Sequence, residues 1–172
     1  FTECTEEAFR GAVNAHLRHG ATSIFPTLSS SPFSKLHQAA KICEQLMEEP
    51  ESPILGLHIE GPYLNPKMAG EQFAGQVKEI DENEYKELAE STRCIRRWDA
   101  SPELPGALDF ARYLHDKGIL VAASHTEAEY DGIREAYEAG FTHAAHFYNA
   151  MPGFHKRREY KYEGTVESVY LT

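Results

Sequence analysis

The chain has little that would tie it to a membrane, a nucleic acid or a disulfide framework. Its apolar runs, such as I-L-G-L-H-I and G-I-L-V-A-A, stop well short of the roughly 20 residues that a spanning helix needs. Basic residues are scarce: Lys and Arg number 17 against 27 Asp and Glu, a balance of -10 with His neutral. Such a balance offers no broad surface for releasing counterions from a polyanion, so no nucleic-acid partner and no membrane partner are expected. A small anion held by a few local groups stays open. Cysteine is sparse and odd in number, at Cys4, Cys43 and Cys94, with no C-x-x-C pair. That argues against a disulfide framework and for a reduced, cytoplasmic compartment, with the three thiols buried as small apolar groups. No N-x-S/T acceptor site and no glycine-rich dinucleotide fingerprint are present.

What remains is 172 residues, 41% hydrophobic and 26% charged, enough for one domain with its own core. Thr5 reads as an N-cap, followed by Phe9, Ala12, Val13, His16 and Leu17 at helical spacing, with Gly20 closing. Ala21–Leu28 reads as a strand. Ser31-Pro32 reads as a cap and first turn, leading into an apolar stripe of Leu36, Ala40, Cys43 and Met47. Ile54–Leu64 is apolar on both faces until Glu60, the pattern of a buried parallel strand. A long loop from Asn65 to Glu79, a short helix from Asn83 to Glu90 and a strand from Cys94 into Glu103 follow. Ala107, Phe110, Ala111 and Leu114 mark a helix closed by Gly118, and a strand then runs to Thr126. Thr126-Glu127-Ala128-Glu129 has the capping-box pattern before a helix that Gly140 closes. The last strand is Phe141–Ala150, and the tail from Gly153 to Glu163 reads as basic and irregular.

Strand and helix thus alternate about five times, which implies parallel strands with right-handed crossovers. Glu60, His125 and His146 all fall at C-terminal ends of strands, where barrel enzymes place their chemistry. The expected fold is α/β, a partial (β/α)8 TIM barrel of about five units, since a complete barrel takes about 250 residues. Residues 1–172 are read as one partial catalytic barrel domain.

A carboxylate at the end of an apolar strand is costly to bury unless it is paired or coordinated. His125 and His146 stand 21 residues apart, about one strand–helix–strand step, so both would project from adjacent strands onto one rim. With Glu60 they make a two-His, one-carboxylate set suited to one divalent metal ion, zinc being the expected one. His58 and His143 read as supporting or packing residues, and His16, His19, His37 and His115 as surface or interhelix residues. Lys156, Arg157, Arg158 and Lys161 form the one basic concentration, a candidate anion clamp. Asn149-Ala150-Met151-Pro152 could add backbone N–H groups to the same anion. Trp98 reads as packing.

The segments G-L-H-I-E-G-P-Y-L-N-P, S-H-T at 124–126 and H-F-Y-N-A-M-P at 146–152 resemble the N-acetylglucosamine-6-phosphate deacetylase family of the amidohydrolase superfamily. Milder matches are H-G-A-T-S-I-F-P-T and A-S-P-E at 100–103. The resemblance implies hydrolysis of the N-acetyl group of N-acetylglucosamine 6-phosphate to glucosamine 6-phosphate and acetate, in amino-sugar catabolism. It implies Glu60, His125 and His146 as metal ligands, Gln72, Asn149 and Ala150 as substrate contacts, and Arg158, or Arg157 in its place, as the phosphate ligand. Gln72 stands where many members carry a His, and the superfamily's His-x-His motif is missing.

By the same resemblance the acid–base Asp is expected beyond Thr172, no catalytic residue is assigned within the chain, and a small β-sandwich and the remaining barrel strands lie outside it. A homodimer is expected of the full-length protein, and residues 1–172 alone are expected not to be a competent deacetylase. The rival readings are another metal-dependent barrel amidohydrolase and a non-catalytic fragment that binds a phosphosugar or a metal.

Overall fold

In the computed structural model, which describes residues 1–72 and 75–172, five parallel strands alternate with helices. The elements are α1 (Glu6–Arg18), β1 (Thr27–Ser29), α2 (Phe33–Met47), β2 (Leu57–Glu60), α3 (Glu82–Ser91), β3 (Ile95–Ala100), α4 (Ala107–Asp116), β4 (Leu120–Ala123), α5 (Tyr130–Ala139), β5 (Phe141–Ala144), β6 (His155–Arg157), β7 (Tyr160–Tyr162) and α6 (Thr165–Leu171). The sheet order β1-β2-β3-β4-β5 follows the chain, all parallel, so this is a run of five (β/α) units of a TIM barrel, as expected.

Parallel register sorts the strand residues onto two faces. Leu28, Ile59, Trp98, Val121 and Phe141 stand side by side across the sheet and are fully or nearly fully buried under the helices. The other face carries Thr27, His58 and Arg97 in one row and Ser29, Glu60 and Asp99 in the next. A register shift after Leu57 sets Arg97, rather than Arg96, beside His58. An extra residue re-phases the strand in this way, and it brings Asp99 alongside Glu60. Trp98, stacked on Tyr63 and edge-on to Phe110, anchors the core as a packing residue. All three cysteines are free and buried, in line with their reading as small apolar groups.

Several local expectations need correction. The strands are shorter than read: β1 begins at Thr27, and β5 ends at Ala144 because the chain turns there. Pro32, not Ser31, holds the cap position of α2. The Thr126 capping box is not formed. Thr126 Oγ1 accepts the N–H of Ala128 at 3.0 Å in a local turn, and α5 starts at Tyr130 with Glu129 at its cap. A short Thr side chain can serve either geometry, and the buried turn after His125 selects this one. The tail from Gly153 to Glu163 is not irregular: it holds the antiparallel β6–β7 hairpin, with Arg158-Glu159 as its two-residue loop. Its strands, three residues each, are too short to show an alternation. Arg157 lies over the Tyr162 ring, His155 stacks on the same ring, and Arg157 and His155 both reach Glu129. The helix α6 was not anticipated; Thr165 ties it to the turn before α5 through a 2.7 Å bond to the Ala128 carbonyl.

Candidate metal centre

Glu60 is the last residue of β2, and His125 and His146 each stand two residues beyond the ends of β4 and β5. The pairing of Ala123 with Ala144 carries the 21-residue step into space and puts the two histidines side by side. Their ring centroids are 4.7 Å apart. Nε2 of His125 lies 3.0 Å and Nε2 of His146 2.5 Å from the same oxygen, Oε1 of Glu60. One donor atom from each residue lies within 4.8 Å of the others, so the three could hold a metal ion. Glu60 and His125 are buried, and His146 is exposed on the solvent side.

The turn that follows Glu60 is built tightly. Gly61 has φ +85°, a conformation that favours glycine, and a Cβ on it would also press on Ser30 Oγ at 2.5 Å. The indole N–H of Trp98 donates to the Gly61 carbonyl at 2.8 Å, pinning that turn to the core.

Both histidines take the left-handed backbone region, at φ +47° for His125 and +52° for His146. For a non-glycine residue such a conformation costs of order 1–3 kcal/mol and persists only where the surroundings hold it. His125 Nδ1 lies 2.8 Å from the Met68 carbonyl. A carbonyl only accepts, so Nδ1 carries a proton; without a metal Nε2 is protonated too and donates to Glu60, and on giving up that proton to a metal the ring is left as the ligating tautomer. That is the usual way of fixing a metal-binding tautomer.

Electrostatics follow from this geometry. Burial disfavours ionised Glu60, but the hydrogen bonds and charge of His125 and His146 outweigh it and hold the carboxyl down at about 2, against an ordinary 4.5. His125 is also opposed by burial, yet Glu60 and the Met68 carbonyl raise its pKa above the ordinary 6.5. The donor set is one committed carboxylate and two imidazoles, which suits a borderline divalent cation.

The remaining expected residues are less convergent. Gln72 turns its Oε1 onto the Ser30 N–H at 3.0 Å, tying the β2–α3 loop to the end of β1. Asn149 and Ala150 lie in the turn after His146. Their N–H groups both donate to the His146 carbonyl, at 2.7 and 3.0 Å. Those two N–H groups are therefore not offered to an anion, because closing the turn consumes them. The exposed Asn149 side chain and the Met151 N–H are not committed in this way. Arg158 sits at the hairpin tip with φ +56°, exposed, while Arg157 is engaged by Glu129 and Tyr162. His143 is exposed, against Thr142.

Sequence reading found His58 as a supporting residue but missed Arg97 and Asp99, which form a polar bed with it beside Glu60. Asp99 is fully buried and takes a two-pronged contact from Arg97, at 2.7 and 2.9 Å. His58 Nε2 lies 3.0 Å from Asp99, and His58 Nδ1 is 3.0 Å from Thr27 Oγ1. Arg97 and Asp99 differ by two in position, and that shared strand face was the available signal.

No protein-family model matches the chain. It is similar to N-acetylglucosamine-6-phosphate deacetylase of Haemophilus influenzae, 30% identical over 151 residues that span 88% of this chain and 39% of that protein. It is 33% identical to N-acetylgalactosamine-6-phosphate deacetylase of Escherichia coli O157:H7, over 81% of this chain and 38% of that one. Among solved structures, N-acetyl-D-glucosamine-6-phosphate deacetylase of Mycobacterium smegmatis superposes with a TM-score of 0.88 at 27% identity, covering 99% of this chain and 44% of that one. A variant of that same protein in complex with N-acetyl-D-glucosamine-6-phosphate matches equally well. The chain thus spans about 40% of the length of these relatives. Sequence and fold thus agree along most of its length in likening the chain to one stretch of the N-acetylglucosamine-6-phosphate deacetylases.

Proposed function

We propose that the chain carries the metal-binding part of a deacetylase that hydrolyses the N-acetyl group of N-acetylglucosamine 6-phosphate, yielding glucosamine 6-phosphate and acetate. The observation that supports this most is the convergence of Glu60, His125 and His146 on one point at the C-terminal rim of a family barrel. In this reading Glu60 and the Nε2 atoms of His125 and His146 hold one divalent ion, zinc by the chemistry of the donors. When bound, such an ion acidifies water towards neutral pH and polarises the amide carbonyl.

The chain's own residues supply the rest by position. Glu60, ionised across the working pH range, serves as a ligand rather than a proton donor. Asp99 has both oxygens on Arg97 and is assigned no proton transfer. Asn149 and Gln72 line the sugar's approach, and Arg158 takes the phosphate, so that distant binding energy orients the acetamido group. A reduced, cytoplasmic setting and a homodimer of the full-length protein complete the proposal.

The test is acetate release from N-acetylglucosamine 6-phosphate by the full-length protein with added zinc, compared with its Glu60→Gln variant. Zinc-dependent release that the variant abolishes supports the reading. Faster turnover of N-acetylgalactosamine 6-phosphate would move the substrate to the sugar in the name of the Escherichia coli relative. Binding of zinc and phosphosugar by the full-length protein without any release would replace the enzyme by a binding module.

A further inference from the structure

We infer that Ser101 and Glu103, on the β3–α4 loop, are positioning residues that lock the loops after β2, β3 and β4 together and so hold His125 in its ligating orientation. The inference rests on the metal reading above. Ser101 is fully buried. Its Oγ accepts the Asn65 N–H at 2.7 Å and shares its own proton between the carbonyls of His125, at 2.8 Å, and Ser124, at 2.9 Å. One hydroxyl thus joins three consecutive loops at the residue proposed as ligand.

Glu103 grips the next step of the chain. Its Oε1 accepts from Asn65 Nδ2 at 2.7 Å and from the Glu127 N–H at 2.9 Å, and its Oε2 accepts from Thr126 Oγ1. The Thr126 N–H in turn donates to the Ala150 carbonyl at 3.2 Å, which carries the tie to the turn behind His146. His125 is therefore held at its own carbonyl and at each of the two residues that follow it. Its φ of +47° is a conformation that a non-glycine residue leaves unless it is held there. The Met68 bond sets the ring, and the Ser101–Glu103 lock sets the backbone that carries the ring. The A-S-P-E segment, a mild match in sequence, takes its place in the site through these contacts.

The experiment uses the full chain and Co2+ alone as probe. Wild type, Ser101→Ala, Glu103→Ala and Glu103→Gln are compared with Leu114→Ala, a core truncation in α4. Three quantities are read: the Co2+ dissociation constant, the visible absorption of bound Co2+, and the thermal midpoint of the metal-free protein. Ser101→Ala and Glu103→Ala are expected to weaken Co2+ binding by about tenfold or more and to shift the absorption bands, as loss of outer-shell support does. Glu103→Gln is expected to restore both, because its amide oxygen still accepts from Asn65 and Glu127 while its NH2 group donates to Thr126. Leu114→Ala is expected to lower the midpoint with affinity and spectrum unchanged. If the two alanine variants lower the midpoint but keep wild-type affinity and spectrum, the lock is merely structural and the inference falls. Should Ser101→Ala fail to fold, the Glu103 pair decides, since that side chain is solvent-accessible. A wild-type chain that binds no Co2+ would overturn the metal reading itself, an outcome distinct from equal binding by all variants.

Discussion

Glu60 turns one oxygen towards both histidines, and that single arrangement carries most of the site's chemistry. Replacing it with Gln keeps the shape and removes the charge. Metal affinity is expected to fall by about a hundredfold, the upper end of what even outer-shell losses cost, while the chain still melts cooperatively. Isothermal titration with zinc checks this, and unchanged affinity would remove Glu60 from the ligand set. The pH dependence of the metal-free protein follows from the same contacts. Glu60 has a depressed pKa, so its contribution to stability is complete above about 4.5 and is lost as pH falls towards about 2. His125 has a raised pKa, so its contribution is complete below 6.5 and is lost as pH rises through the higher folded value. The metal-free site therefore stabilises the fold most between about pH 4.5 and 6.5, and Glu60→Gln should flatten that profile. With zinc present the trend above pH 6.5 reverses, because a metal needs the neutral imidazole. Thermal melts with and without zinc across this range give the test, and superimposable wild-type and variant profiles would contradict it.

At the scale of elements, function gathers on the segments that leave the strands. Glu60 was legible because an acidic residue closing a run such as L-G-L-H-I is conspicuous. The two histidines were legible through their spacing, which equals one β/α step. The hairpin was not, since its strands are only three residues each and it is held by cross-strand aromatic and charge contacts that only proximity reveals. It separates Arg157 from Arg158: the first is engaged with Glu129 and Tyr162, and the second is presented at the tip. In the full-length protein Arg158→Ala is accordingly expected to raise KM for N-acetylglucosamine 6-phosphate by about 10–100-fold, the value of a charged hydrogen-bonded contact of roughly 1.5–3 kcal/mol. Unphosphorylated N-acetylglucosamine should be turned over as before. Arg157→Ala should act instead on the hairpin's stability. Equal losses on both sugars from Arg158→Ala would mark that residue as structural.

Among the described residues the molecule presents a parallel sheet whose outer members, β1 and β5, each have one neighbour. Beside β5 lies a mainly apolar hollow of about 160 Å³ whose lining includes Ala123, Ile133, Ala136, Phe141 and Val169. Open strand edges and apolar hollows invite pairing with other chains, and a charge of -10 opposes it. Association of the chain is therefore expected to grow with ionic strength, as screening shortens the reach of that repulsion. Tyr137→Lys, at an exposed position on the hollow's rim, should reduce it. Sedimentation velocity at low and high salt measures both effects, and a monomer at every salt concentration would contradict the expectation.

Local pattern was enough to determine the order of the five parallel strands and of helices α1 to α5, and the strand-end residues Glu60, His125 and His146. Each of these follows from periodicity or spacing along the chain, where near neighbours carry the information. Tertiary structure alone decided how those residues are held. The Met68 carbonyl on His125, the Ser101 hydroxyl between three loops and the Arg97–Asp99–His58 bed all join positions tens of residues apart or depend on a one-residue register shift. It also decided that Thr126 would bond Glu103 instead of capping a helix, and that Asn149 and Ala150 would spend their N–H groups on a turn. Short polar side chains and backbone amides have several partners within reach of any local conformation, and the packed fold selects among them.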